Sequence, residues 1–360
     1  MVSFVSITRG ISFFMLVSSM LTGSAHAAPA SNDATIADVS STFTLPPIIK
    51  DRVAFSNDIA DTDYFNLTKR ASETVGGNTM DLPSNAPALP AVPKAGDVVI
   101  ATAAQIAEYK KYAALASTAY CRSVVPLNLW TCVNCLRFAP DGKLIKTFSS
   151  VISDTNGFVL RSDAQKTIYV VFRGTNSIRS AITDLVFTLI SYPPVSGARV
   201  HTGFYASYQA VVSDYFPVVQ SQLTSYPSYK VVVTGHSLGG AHALLAGMDL
   251  YQREKRLTAS NLFIHTAGCP RVGNPTFANY VASTGITFTR SVNQRDIVPH
   301  VPPTYAGYLH PGVEVWARTS STVQICTSNT ESNMCSNSIE PFTSFTDHLS
   351  YYGITEGVCI

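Results

Sequence analysis

Gly235-His236-Ser237-Leu238-Gly239 is a G-x-S-x-G run, preceded by the strand-like Lys230-Val231-Val232-Val233-Thr234 and followed by a helix-like stretch over 240–254. A serine at so sharp a strand-to-helix turn presents its hydroxyl at the head of a sheet, and small neighbours keep the turn free of clashes. The chemistry this suggests is nucleophilic attack by Ser237. The rival reading is a plain structural turn, which the flanking strand and helix disfavour. A serine hydroxyl attacks only when a base takes its proton, and the base needs an acid to orient it. In sheets of this kind the acid and then the histidine follow the serine along the chain. Asp296, in Asn293-Gln294-Arg295-Asp296-Ile297-Val298-Pro299-His300, follows a strand-like run over 287–292. Strand ends are where such sheets place their chemistry. His348, in Asp347-His348-Leu349-Ser350-Tyr351-Tyr352-Gly353, is the base that order and spacing favour, with His300 and His310 as competitors.

Those residues need a frame to hold them. Thr102 with Gln105 three residues on makes a capping box, and Ile106, Tyr109, Ala113, Ala116 and Tyr120 then recur at helical spacing. Extended runs are expected over 144–153 and 167–172, with Asp154-Thr155-Asn156-Gly157 as a turn between extended segments. A long helix is expected over 204–223, and a further strand over 262–266. Strands alternating with helices imply an α/β domain with a mainly parallel, buried sheet.

The frame begins near residue 95. Residues 1–27 read as a secretory signal peptide: Arg9 is the basic flank, 11–21 is a short apolar run, and Ala25-His26-Ala27 has small residues where a signal peptidase cuts. The apolar run falls short of the roughly 20 residues of a spanning helix, so stable membrane insertion is not expected. Residues 28–94 are polar and proline-rich and read as an irregular propeptide, leaving 95–360 as the catalytic domain. The alternative for 28–94 is a disordered linker. The dibasic Lys69-Arg70 and the region of Lys94 are possible cuts, and Asn66-Leu67-Thr68 is a glycosylation sequon.

Charged residues make up only 13% of the 360, and the formal charge of +2 comes with scattered basic residues, which excludes a nucleic-acid stripe. No metal-ligand cluster is evident, so neither metal nor organic cofactor is implied. Seven cysteines in an oxidising compartment suggest the pairs Cys121–Cys359, Cys132–Cys135 and Cys326–Cys335, leaving Cys269 as a buried thiol. In the entropy model the first closes a loop worth about 5 kcal/mol and the second only about 2 kcal/mol. A redox role for the short CxxC lacks the βαβ context it would require.

Residues 95–360 resemble the filamentous-fungal triacylglycerol lipases of the Rhizopus and Rhizomucor group. The resemblance is carried by Phe172-Arg173-Gly174-Thr175, by 232–240 around Ser237, by Pro270-Arg271-Val272-Gly273-Asn274-Pro275, and by the Asp296 and His348 stretches quoted above. It implies an α/β-hydrolase fold, a triad of Ser237, Asp296 and His348, and the same three disulfides. It implies an oxyanion hole from Thr175 (backbone N–H and hydroxyl) and the backbone N–H of Leu238. Asp184 would orient the Thr175 hydroxyl when a lid opens. A propeptide that assists folding is a further family expectation.

The lid is the stretch Ile178-Arg179-Ser180-Ala181-Ile182-Thr183-Asp184-Leu185-Val186-Phe187. Ile178, Ala181, Ile182, Leu185 and Val186 fall on one apolar face of a helix, opposite Arg179, Ser180, Thr183 and Asp184. Such a helix is often merely packed on a core. Its place beside the oxyanion loop and its likeness to the family lid favour a moving cover. Activity is then expected to rise sharply once substrate exceeds its solubility. Some relatives carry tryptophan where Ala181 stands, so weaker insertion into an interface is expected here. His201 and His236 read as structural supports. The expected activity is secreted, monomeric hydrolysis of glycerol esters at an oil–water interface. Rivals are a phospholipase or feruloyl-type esterase on the same scaffold, or an inactive lipid-binding relative.

Overall fold

The computed structural model describes residues 73–93, 96, 98–151 and 153–359. The expected signal peptide, the sequon and Lys69-Arg70 lie outside the described residues, as does most of the expected propeptide. In chain order the elements are β1 (Thr74–Val75), β2 (Asn78–Thr79), β3 (Val98–Ile100), α1 (Ala103–Thr118), α2 (Val133–Phe138), β4 (Lys143–Ser150), β5 (Thr155–Ser162) and β6 (Thr167–Phe172). Next come α3 (Ile178–Thr183), β7 (Leu189–Ser191), β8 (Arg199–His201), α4 (Thr202–Gln209), α5 (Val212–Ser225), β9 (Lys230–His236), α6 (Leu238–Arg253) and β10 (Leu262–Ala267). The chain closes with α7 (Pro275–Ser283), β11 (Thr287–Asn293), β12 (Val313–Ala317), β13 (Val323–Cys326), β14 (Ser350–Tyr351) and β15 (Ile354–Thr355).

Among the described residues, nine strands form one sheet in the order β3-β13-β12-β11-β10-β9-β6-β5-β4. The five central strands, β12, β11, β10, β9 and β6, run parallel. They are joined by crossovers long enough to carry a helix or a loop over the face. Both margins are antiparallel, with β5 and β4 added on one side and β13 and β3 on the other. The sheet is therefore mixed, and the expectation of a mainly parallel sheet holds for its centre. Short connections such as the one from β5 to β6 are too brief for a parallel crossover. Val231, Val232 and Val233 of β9 are fully buried, each stabilising the fold by roughly 1.5–3 kcal/mol. That places the strand before Ser237 in the rigid middle of the sheet.

The capping box of α1 forms, with Thr102 N–H donating to Gln105 Oε1 at 2.9 Å and Gln105 N–H to Thr102 Oγ1 at 3.3 Å. Three expectations need correction. Thr155, Asn156 and Gly157 lie within β5, paired with Ser150, Ser149 and Phe148. The reversal is made ahead of them, where Asp154 takes a φ of 49°, a conformation aspartate tolerates better than most residues. The single helix over 204–223 is two, α4 and α5, separated at Val211 (φ −123°, ψ −2°). Both helices turn apolar faces to the same core, so periodicity does not reveal the break. Across it the hydroxyls of Tyr208 and Tyr215 meet at 2.8 Å. Finally, 73–93 is not wholly irregular: β1 and β2 form a small hairpin.

Candidate active site

Ser237 sits between β9 and α6 with φ 60° and ψ −131°. This is backbone territory that side chains other than glycine's rarely occupy, and it aims the hydroxyl away from both elements. The turn closes because Gly235 and Gly239 lack side chains. A Cβ on Gly235 would strike the Gly239 carbonyl, and one on Gly239 would strike the Phe172 carbonyl and come within 2.7 Å of the Arg173 carbonyl carbon. Leu238 opens α6, so its N–H belongs to the first turn, whose donors have no partner inside the helix.

Asp296 follows β11 and is fully buried. One carboxylate oxygen takes the Val298 N–H at 2.8 Å. The other takes His348 Nδ1 at 2.8 Å and the hydroxyl of Tyr351. These donors offset the cost of burying a carboxylate. His348 lies in a short 3-10 turn, Thr346–Leu349. With Nδ1 on Asp296, its Nε2 lies at the far end of the ring, buried and without a hydrogen-bond partner among the described residues. The Ser237–His348 hydrogen bond is therefore not made in this closed arrangement. Such bonds often tighten only around substrate.

The competing histidines sit elsewhere. His300 Nδ1 is 3.0 Å from Glu340, and His310 Nε2 donates to the Pro299 carbonyl at 2.8 Å. Burial, with nearby arginines, holds His310 well below the usual histidine range, so it is neutral. Cys269 is buried and unpaired, and burial pushes its thiol up to about 12, which leaves it a packed, unreactive group. The other six cysteines form the bonds Cys121–Cys359, Cys132–Cys135 and Cys326–Cys335.

Tyr351 was given no role by the sequence, although it lies in the same short motif as His348. Burial and Asp296 hold its hydroxyl far above the usual tyrosine range, so it stays a donor.

Thr175 lies on the loop after β6, where its hydroxyl accepts the Ser177 N–H at 3.3 Å. The adjoining α3 covers only 178–183, so the helix is shorter than the expected 178–187. Ile178 and Ile182 are buried, packed with Val75, Met80, Val298 and Phe345, while Leu185 is partly buried against the same cluster. Ala181 is half-buried and Asp184 caps the helix at the surface. Val186 departs from the expected apolar face: it lies beyond the helix and is 48% exposed. The cause is a tether, because its carbonyl accepts from His201 Nε2 at 2.7 Å, pulling the backbone inward and leaving the side chain outside. Arg179 is on the polar face as expected, but it reaches Asp81 at 2.9 Å and Glu73 at 3.4 Å, on either side of the β1–β2 hairpin. Ser237 is 4% exposed and His348 and Asp296 are fully buried, so the three side chains present almost no surface to solvent.

The constellation can perform acyl transfer. The chain as a whole has clear relatives among known proteins. The model of the family Lipase (class 3) matches residues 169–306. A lipase of Rhizopus niveus is 57% identical, with 100% of both chains covered. The crystal structure of the lipase from Rhizopus microsporus var. chinensis superposes with a TM-score of 0.78 at 68% identity, covering 80% of this chain and 100% of that one. The native propeptide complex of Rhizomucor miehei lipase gives 0.75 at 50% identity, covering 81% and 91%. With an α/β-hydrolase sheet, a strained serine at its centre and full-length likeness of this order, the chain belongs to the class 3 lipase family.

Proposed function

We propose that this lipase hydrolyses fatty-acid esters of glycerol at an oil–water interface through Ser237, His348 and Asp296. The observation that carries the reading is the 2.8 Å contact between His348 Nδ1 and the buried Asp296, which leaves Nε2 unpartnered. His348 Nε2 takes the Ser237 proton as Oγ attacks the ester carbonyl. Asp296 holds the Nδ1–H tautomer and offsets the imidazolium charge. The oxyanion is met by the N–H of Leu238 and by the N–H and hydroxyl of Thr175, with Asp184 orienting that hydroxyl once the lid has moved. One such donor is typically worth roughly 3–4 kcal/mol in the transition state. His348 then protonates the departing alcohol. Water, deprotonated by the same imidazole, releases the fatty acid and restores the serine. No cofactor enters.

The lid supplies the preference for an interface. Burying Ile178 and Ile182 is worth roughly 1.5–3 kcal/mol each, which holds α3 down in water. Against lipid the penalty for turning them out disappears. Val75 and Met80 pack in the same apolar cluster, which supports reading residues 73–93 as the end of a propeptide that clamps the lid. Secretion and monomeric action complete the reading. The signal-like pattern of 1–27 and the disulfides support the first, and a triad drawn from one chain supports the second.

Fatty-acid release from emulsified long-chain triglyceride tests the proposal, comparing the processed enzyme with its Ser237→Ala variant. Release by the wild type alone is expected. Turnover of soluble esters without triglyceride release would move the assignment to an esterase.

A further inference from the structure

His236 stands beside the nucleophile in the chain yet has no step in the acyl transfer. Its ring is fully buried and lies against the catalytic imidazole, the His236 and His348 centroids 4.4 Å apart and the planes inclined by 29°. His236 Nε2 is 3.0 Å from the backbone oxygen of His348, and Nδ1 is 2.8 Å from the Tyr120 hydroxyl. A carbonyl can only accept, so Nε2 carries the proton. Nδ1 must then accept, and the Tyr120 hydroxyl donates to it. Burial, with His348 beside it, holds His236 well below the usual histidine range, so the ring is neutral.

Tyr120 also touches the other half of the site. Any side chain at Gly174, the residue before Thr175, would strike the Tyr120 hydroxyl, and its Cβ would come within 2.9 Å of Ser237 Cβ. Tyr120 thus lies between the oxyanion loop and His236. It is fixed from both sides: its N–H donates to Ser117 O at 3.1 Å at the end of α1, and the next residue, Cys121, is bonded to Cys359. Glu356, from the same C-terminal stretch, lies 4.0 Å from His236 Nδ1. Burial pushes its carboxyl well above the usual range, which weakens its pull on the ring's proton.

We propose that Tyr120 and His236 are positioning residues: the Tyr120 hydroxyl locks His236 as the Nε2–H tautomer, and that N–H fixes the backbone of His348 so that its imidazole faces Ser237. The inference rests on His348 being the base. Without the hydroxyl, His236 is free to carry its proton on Nδ1. A lone pair then faces the His348 carbonyl, acceptor against acceptor, and the loop bearing the base is pushed off.

Tyr120→Phe in the processed enzyme tests this, because it keeps the ring and removes the donor. On a soluble short-chain ester kcat should fall about tenfold, the loss expected of one hydrogen bond, with KM unchanged. The melting temperature should fall by no more than about 4 °C. Nitrogen-15 NMR should show His236 protonated on Nε2 in the wild type and a tautomer mixture in the variant. His236→Gln, which can both donate and accept, should retain about tenfold more kcat than His236→Met, which only fills space. An unchanged kcat in Tyr120→Phe, a wild-type proton on Nδ1, or equal rates for the two His236 variants would overturn the proposal. A phosphonate ester that labels wild-type Ser237 separates the two readings. Labelling with no effect of Tyr120→Phe overturns the positioning role alone, and failure to label overturns the triad with it.

Discussion

Gly268 and His348 share a space that admits no further atom: a Cβ on Gly268 would lie 2.6 Å from Cε1 and 2.7 Å from Nδ1 of the imidazole. Gly268 follows β10 with a φ of 59°, its N–H donating to Ser291 O at 3.0 Å. Gly268→Ala must therefore displace the ring from Asp296. Misplacing a catalytic group by about 1 Å can cost on the order of a hundredfold in rate. We expect a loss of that size in kcat on a soluble ester, together with a stability cost of about 1–2 kcal/mol from the left-handed backbone. A folded variant with near-normal kcat would show that the loop yields more easily than the packing implies.

The clamp on the lid has an ionic part and an apolar part, and their sizes differ. Arg179 and its partners Asp81 and Glu73 are all partly exposed, and such pairs are worth about 0–1 kcal/mol each. Met80 is fully buried in the cluster with Ile178 and Ile182, and truncating a buried methionine costs about 2–5 kcal/mol. In enzyme that retains residues 73–93, Arg179→Gln should raise the rate on a soluble ester less than about fivefold, and Met80→Ala by tenfold or more. The opposite ranking would make the clamp chiefly electrostatic.

Ser237 holds its strained backbone at a cost of about 1–3 kcal/mol. Ser237→Ala leaves that strain in place, whereas Ser237→Gly removes it and costs about 0.5–1 kcal/mol in unfolded-chain entropy. Calorimetry on the two inactive proteins should find Ser237→Gly melting higher. A lower midpoint would mean that the elbow stores less strain than its angles suggest.

Acid should destabilise the fold well before it protonates most carboxylates. Burial lowers His201 to about 4 and His242 and His265 to about 3, and it holds His236 and His310 well below the usual range. The unfolded chain titrates these groups near pH 6.5. Below that pH the unfolded state binds protons the folded state refuses, so their contribution is intact above about 6.5 and lost as pH falls toward 4. Asp347, raised to about 6 by burial, and Glu356, raised well above its usual range by burial, act oppositely. Their folded-state protons favour the fold at low pH, and that contribution is lost as pH rises through their folded values. Five histidines outnumber two carboxyls, so near pH 5 unfolding takes up protons on balance. The melting temperature should drop steadily from pH 7 to pH 5, and a flat profile would contradict this balance.

Where chemistry depends on neighbours in the chain, the sequence alone determined it. The turn at Ser237 needs glycines at Gly235 and Gly239 because of sterics within five residues. The Thr102–Gln105 box closes within one helical turn. The order of Ser237, Asp296 and His348 follows from how strands succeed one another in such a sheet. What remained illegible depends on residues brought together only by folding. Tyr351 meets Asp296 across 55 positions, Tyr120 meets His236 across 116, and Arg179 meets Asp81 across 98. The break at Val211 and the outward Val186 likewise have no local signature, since each follows from what lies opposite. Periodicity records which face of an element is apolar. Which donor meets which acceptor is decided by the closure of the chain around a common core, and only the tertiary structure carries that.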